Sequence, residues 1–193
     1  MSVAAKKRAT YEDLLAAPDT MVAEIIDGEL ITSPRPAPPH ALAGSVLGVD
    51  LGGPFFRGRG GPGGWWILFE PELHFGDDVL VPDIAGWRVS RMPALPKEAY
   101  FTLSPDWICE VLSERSRRRD RVQKMAIYAR VGVAHAWLVD PTERSLEVFR
   151  LERKQWVSVS THHGAVSVCA EPFAAVALDL AGLWNIGAPS EDR

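Results

Sequence analysis

Residues 107–139 constrain the fold more than any other stretch. Trp107-Ile108-Cys109 is an apolar run that reads as a strand, and "HAWLVDP" at 135–141 reads as another. Between them Val122, Met125, Ala126 and Ala129 recur at i, i+3, i+4 and i+7, the spacing of one packed helix face. This helix is predicted to start near Asp120 and to be capped by Gly132. Strand, helix and strand joined so closely fit a crossover with parallel pairing. A chain built around that unit is predicted to be an α/β domain on a mixed sheet.

The flanking segments fit the same plan. Thr10 and Asp13 form a capping-box pattern for a short helix over 11–17, closed before Pro18. Residues 22–33 read as two strands turning at Asp27-Gly28. A proline-rich loop, "SPRPAPPH", leads into a helix from His40 to about Leu51. The glycine-rich run "GGPFFRGRGGPGG" reads as a flexible loop. Residues 66–75 and 79–89 read as one hairpin, 145–152 as a strand, 156–168 as another hairpin, and 178–183 as a closing turn or short helix. Residues 1–9 and 187–193 are expected to be flexible tails around a single domain over 10–186.

Composition excludes several classes. No apolar stretch reaches the ~18 residues of a membrane helix, and no apolar segment follows the basic N-terminus as in a secretory signal. Two cysteines, Cys109 and Cys169, are too few for a disulfide framework. Both lie in apolar runs and are expected to be buried free thiols. Cytoplasmic location is the resulting default, with no membrane partner. The net charge of −4 argues against a generally basic nucleic-acid binder, yet residues 115–130 carry seven basic side chains against Asp120. Five of them crowd into residues 115–121: Arg115, Arg117, Arg118, Arg119 and Arg121. This run reads either as a solvated helix entry or as a contact for phosphate.

Glu110 is the residue that an ordinary core strand does not explain, because a buried bare charge is costly. A lysine, a metal ion or an exposed strand end must compensate it. Asp83, on the returning strand of the 66–89 hairpin, is expected to face Glu110 from about 4.8 Å away across adjacent strands. Two such carboxylates can share a divalent cation, and the backbone carbonyl of Val111 adds a further hard oxygen ligand. As a bland alternative, Asp83 after Pro82 forms a strand-end turn. Glu29, after the Asp-Gly turn, is either an ordinary strand residue or a third acid. His40 is either a structural histidine or a site residue.

"VPD" at 81–83, "WICEVLSERSRRRDRVQKMAIYARVGVAHAWLVDP" at 107–141 and "EIIDGELITSPRPAPPH" at 24–40 together resemble the Uma-two family, within the PD-(D/E)XK nuclease superfamily. The resemblance runs over roughly residues 10–184. It implies a restriction-endonuclease-like fold, a mixed central sheet flanked by helices. It implies a DNA endonuclease using Mg2+ or Mn2+, with Asp83 and Glu110 as the metal-binding acids. The superfamily's acid-x-lysine is interrupted here, since Leu112 stands where the lysine is expected. The resemblance implies that the lysine has moved to the following helix as Lys124. There Asp120, Lys124 and Tyr128 fall at i, i+4 and i+8, near one face. Read without the resemblance, Lys124 is a solvated lysine paired with Asp120, and Tyr128 packs at the core edge. Cleavage of both strands favours a homodimer. The alternative to an enzyme is a nucleic-acid-binding or regulatory protein with this fold and little or no activity.

Overall fold

The computed structural model describes residues 7–185. The tails expected at 1–9 and 187–193 therefore lie outside the described residues, apart from 7–9. There, Ala9 donates a backbone hydrogen bond to Gly28 O.

The crossover unit forms as its pattern predicts. Strand β7 (Trp107–Val111) pairs in parallel with β8 (His135–Asp140). The helix between them, α3 (Met125–Val131), is preceded by a π-helical segment, Arg119–Lys124, and closed by Gly132 at φ +84°. Six strands make the main sheet in the order β10-β9-β8-β7-β6-β3, all other neighbours being antiparallel. They are β3 (Trp65–Phe69), β6 (Ile84–Arg88), β9 (Ser145–Glu152) and β10 (Gln155–His163), with β7 and β8. The architecture is mixed α/β, as expected.

Side-chain alternation along β7 divides the core. Trp107, Cys109 and Val111 point to one layer, where Trp107, Trp137 and Phe173 meet edge to face at centroid distances of 4.9–5.6 Å. Helix α2 (Pro38–Leu51) and α4 (Ala181–Trp184) cover that layer. Ile108 and Leu112 belong to the opposite layer, under Met125, Ile127 and Tyr128 of α3. Glu110, between them in register, also faces the α3 side.

A second sheet orders β2-β1-β5-β4 and comprises β1 (Met21–Ile26), β2 (Glu29–Pro34), β4 (Leu73–Phe75) and β5 (Asp78–Leu80). Here the structure corrects the sequence reading. The single hairpin expected over 66–89 is broken in both arms, so β3 and β6 belong to the main sheet while β4 and β5 belong to the smaller one. Pro71 and Pro82 lie at the two breaks. Proline has no N–H for a ladder, so neither strand runs on through it. Glu70, ahead of Pro71, sits at φ +43°, and its N–H meets Asp83 O across the break at 3.0 Å.

Other boundaries shift too. The capping box at Thr10 and Asp13 forms, starting α1 (Tyr11–Leu15). Helix α2 begins two residues before His40, with Pro38 and Pro39 in its first turn, where their missing N–H groups are no loss. Its end runs into a π-helical segment, Gly52–Phe56, so the start of the glycine-rich run is helical rather than loose. Strand β10 pairs with β9, and β11 (Ser167–Val168) with β12 (Leu178–Asp179), so residues 156–168 do not form a hairpin of their own. Cys109 is buried as expected, whereas Cys169 is exposed. Among the described residues no helix is long and apolar enough to cross a membrane.

Candidate active site

The break in β5–β6 opens a cavity of about 530 Å3 between the two sheets. Its walls come from β1, β2, the proline-rich loop 34–37, the first turn of α2, the end of β7 and the 113–124 segment. It holds Glu24, His40, Asp83, Glu110, Val111, Asp120 and Lys124.

Asp83 lies in the break rather than on a strand, which corrects the expectation of a ladder position. The position is nevertheless fixed. Oδ2 of Asp83 accepts the Val111 N–H at 2.7 Å, so the acid is pinned to the residue after Glu110. Oδ1 lies 3.2 Å from Nε2 of His40, which α2 brings in from the opposite wall. Burial works to depress the His40 pKa, but the hydrogen bond and charge of Asp83, with a backbone hydrogen bond to Val111, raise it overall.

Lys124 reaches Glu110 from the helix that follows β7. Nζ lies 2.8 Å from Glu110 Oε1 and 2.9 Å from Glu24 Oε1, and donates to Val81 O at 3.1 Å. Three acceptors match the three donors of an ammonium. The lysine is not a solvated partner of Asp120, because only 2% of it is exposed. Burial alone would depress its pKa; Glu110, Glu24 and Asp120 raise it instead, so the ammonium stays charged. Tyr128 donates its OH to the same Oε1 of Glu110 at 2.6 Å, so it belongs to this network rather than to a core edge. Desolvation by burial pushes the Glu110 carboxyl well above the usual range. Lys124 opposes that rise, and Asp120, Asp83 and Glu24 add to it. Burial likewise raises Asp120.

Glu24 escaped the sequence reading. It sits on β1 with 3% exposure, and its Oε1 accepts the Val81 N–H at 2.9 Å as well as the lysine. Val81 is thus held at both its N–H and its carbonyl. The missed signal is the one that marked Glu110, a carboxylate inside an apolar strand, here "MVAEII". Glu29, chosen instead, is exposed at the start of β2, two pairing steps from Glu24 towards the turn, and does not line the cavity.

The arginines do not act as one patch, because helical geometry distributes them. Arg115 and Arg119 line the cavity, and Arg119 donates to Ser33 Oγ at 3.1 Å. Arg117 pairs with the buried Asp140 at 2.7 Å, and Arg121 makes a two-pronged pair with Glu147. Those two face β8 and β9. Arg118 is exposed outside the cavity.

The donor set suits a hard divalent cation. Six acids line the cavity, among them Glu24, Asp83, Glu110 and Asp120, against the four cations Arg35, Arg115, Arg119 and Lys124, so acidic side chains are in excess. Among the described residues no three His, Cys, Asp or Glu side chains converge closely enough to hold an ion by themselves. A pair of carboxylates completed by the Val111 carbonyl is compatible with that limit.

A solved structure described as "a putative nuclease belonging to DUF820 from Anabaena variabilis ATCC 29413" has the same fold, with a TM-score of 0.68 and 24% identity. The match covers 91% of this chain and 97% of that one. No curated protein matches the sequence. The model of the Uma2 family, described as "Putative restriction endonuclease", matches residues 8–181. With nearly all of its length matched, the chain belongs to the Uma2 family.

Proposed function

We propose that this protein is a Mg2+- or Mn2+-dependent DNA endonuclease that hydrolyses phosphodiester bonds with an activated water. One observation carries the reading: a buried, charged Lys124 bridges to Glu110 in the same cavity where Asp83 is pinned to Val111. Asp83, Glu110 and Lys124 line one cavity, which supports reading them as an acid-acid-lysine site whose lysine comes from a different element.

Asp83, Glu110 and the Val111 carbonyl would hold the cation. The contacts of Glu110 with Lys124 and Tyr128 both fall on Oε1, which leaves Oε2 for the ion. A bound divalent ion supplies a water of lowered pKa and polarises the phosphate. Lys124 would orient that water and offset charge on the phosphate in the transition state. Tyr128 fixes the Glu110 carboxylate, and His40 fixes Asp83. Arg115 and Arg119, on the cavity wall, would take the flanking phosphates.

The test is single-turnover cleavage of plasmid and oligonucleotide DNA with and without Mn2+. Lys124→Ala is expected to slow cleavage by about 10²- to 10³-fold, the usual effect of removing one group that stabilises developing charge. Lys124→Arg is expected to rescue poorly, because a planar fork does not replace a compact ammonium. Wild-type rates in Lys124→Ala would reject the assignment. A second reading, a nucleic-acid-binding protein with this fold, is favoured by the self-satisfied network around Lys124. It predicts metal-independent mobility shifts and no cleavage.

A further inference from the structure

We infer that Glu24 is a positioning residue that holds Lys124 in line with Glu110, and that the β1–β2 hairpin carries it as a clamp. The inference rests on the nuclease reading of Lys124. Glu24 touches none of the atoms proposed to react; it acts through the lysine and through Val81.

Lys124 ends a flexible four-carbon stem, and such an ammonium has no preferred direction of its own. Glu110 alone would leave Nζ free to swing about one contact. The three contacts of Nζ come from three elements: Glu110 from β7, Glu24 from β1, and Val81 from the break after β5. Oε1 of Glu24 joins Nζ to Val81, since it also accepts the Val81 N–H. One carboxylate oxygen therefore ties the ammonium to the segment that carries Asp83. Lys124 and Asp83 are set relative to each other through Glu24.

The surroundings favour this role over a purely structural one. Glu24 is a buried acid on a strand whose neighbours Ile25 and Ile26 serve the core. A carboxylate there adds negative charge to a pocket already rich in it, which a structural position would avoid. Its Oε2 lies 3.9 Å from Arg119 Nε, so the same side chain also borders the arginine proposed for a flanking phosphate.

The test is a double-mutant cycle between Glu24→Gln and Lys124→Met, read in single-turnover cleavage and in urea unfolding. Glu24→Gln keeps an acceptor for Val81 and removes the charge. It is expected to lower the cleavage rate at saturating DNA by about 10- to 100-fold, typical of a partner that orients a site group, with the half-saturating DNA concentration unchanged. In the Lys124→Met background the same change is expected to do nothing further. Glu24→Ala is expected to be slower than Glu24→Gln. A full Glu24→Gln effect in the Lys124→Met background would overturn the inference, as would a change confined to DNA affinity. If wild type does not cleave DNA, the nuclease reading fails and the clamp is judged by unfolding. Glu24→Gln should then lower the urea midpoint in wild type and not in Lys124→Met, and additive shifts would reject the clamp. If Glu24→Gln alone fails to fold, the double variant, which removes both charges, is expected to fold; its failure would equally reject the inference.

Discussion

Glu110 illustrates how a single residue trades stability for a site. Ile108 and Leu112, its neighbours on the same face of β7, are ordinary core residues against α3. An acid between them stays ionised only at a price in desolvation, and burial raises its pKa accordingly. The sign of the resulting pH effect follows from linkage. An acid whose pKa is higher folded than unfolded contributes stability below the unfolded value, near 4.5, and loses it as pH rises through the folded value. The melting temperature of Glu110→Gln minus that of wild type, measured in EDTA, is thus expected to increase from pH 5 to pH 8. Mn2+ should shrink that gap by stabilising wild type, more at pH 8 than at pH 5, because bound carboxylates must be deprotonated. Glu110→Gln should not respond to Mn2+. A pH-independent gap would mean that Lys124 fully compensates the carboxylate.

At the scale of the element, the arginine-rich entry to α3 separates two tasks by geometry. Positions 115 and 119 turn to the cavity, whereas 117 and 121 turn to the carboxylates of Asp140 and Glu147. DNA affinity measured by anisotropy over a salt series should report this split. Arg115→Ala and Arg119→Ala are each expected to make the slope of log affinity against log salt shallower by about 0.9, one phosphate contact apiece. Arg117→Ala should leave the slope unchanged and lower the melting temperature, since it strands a buried Asp140. Equal slopes for all variants would reject the phosphate role. Periodicity made α3 and its partners β7 and β8 legible from sequence, because those signals are local. The π-helical segment at 119–124 was not legible, since an extra residue per turn leaves no pattern in so short a stretch. Nor was the break at Pro82. A proline within a strand pattern says that pairing stops, but not that the two halves join different sheets. Lys124 was singled out because family resemblance pointed past Leu112. Glu24 was not, although an acid inside "MVAEII" carries the same local mark as Glu110; only its contact with Lys124, across 100 residues of chain, has no local sign.

For the whole molecule, the ionic cluster is where the two sheets meet. Glu24 comes from the smaller sheet, Glu110 from the main one, and Lys124 from the helix that crosses over the latter. If the cluster served mainly to hold the sheets together, neutralising it would loosen the protein. The physical expectation is the reverse. Desolvating three charges is expensive, and replacing a buried ionic triad with uncharged side chains of similar shape is often stabilising by about 1–4 kcal/mol. Apolar packing of Ile26, Leu73 and Leu80 from the smaller sheet with Ile108, Leu112 and Tyr128 already supplies the attachment. The triple variant Glu24→Gln/Glu110→Gln/Lys124→Met keeps side-chain volume and an acceptor for the Tyr128 hydroxyl. Its melting temperature in EDTA is expected to rise by roughly 2 to 16 °C, from the 2–4 °C per kcal/mol of a domain this size. DNA cleavage and the stabilisation by Mn2+ should both disappear. Calorimetry of the two proteins side by side decides the matter. A triple variant that melts lower than wild type would make the cluster a structural fastening, and the strongest physical reason for reading the cavity as a catalytic site would be lost.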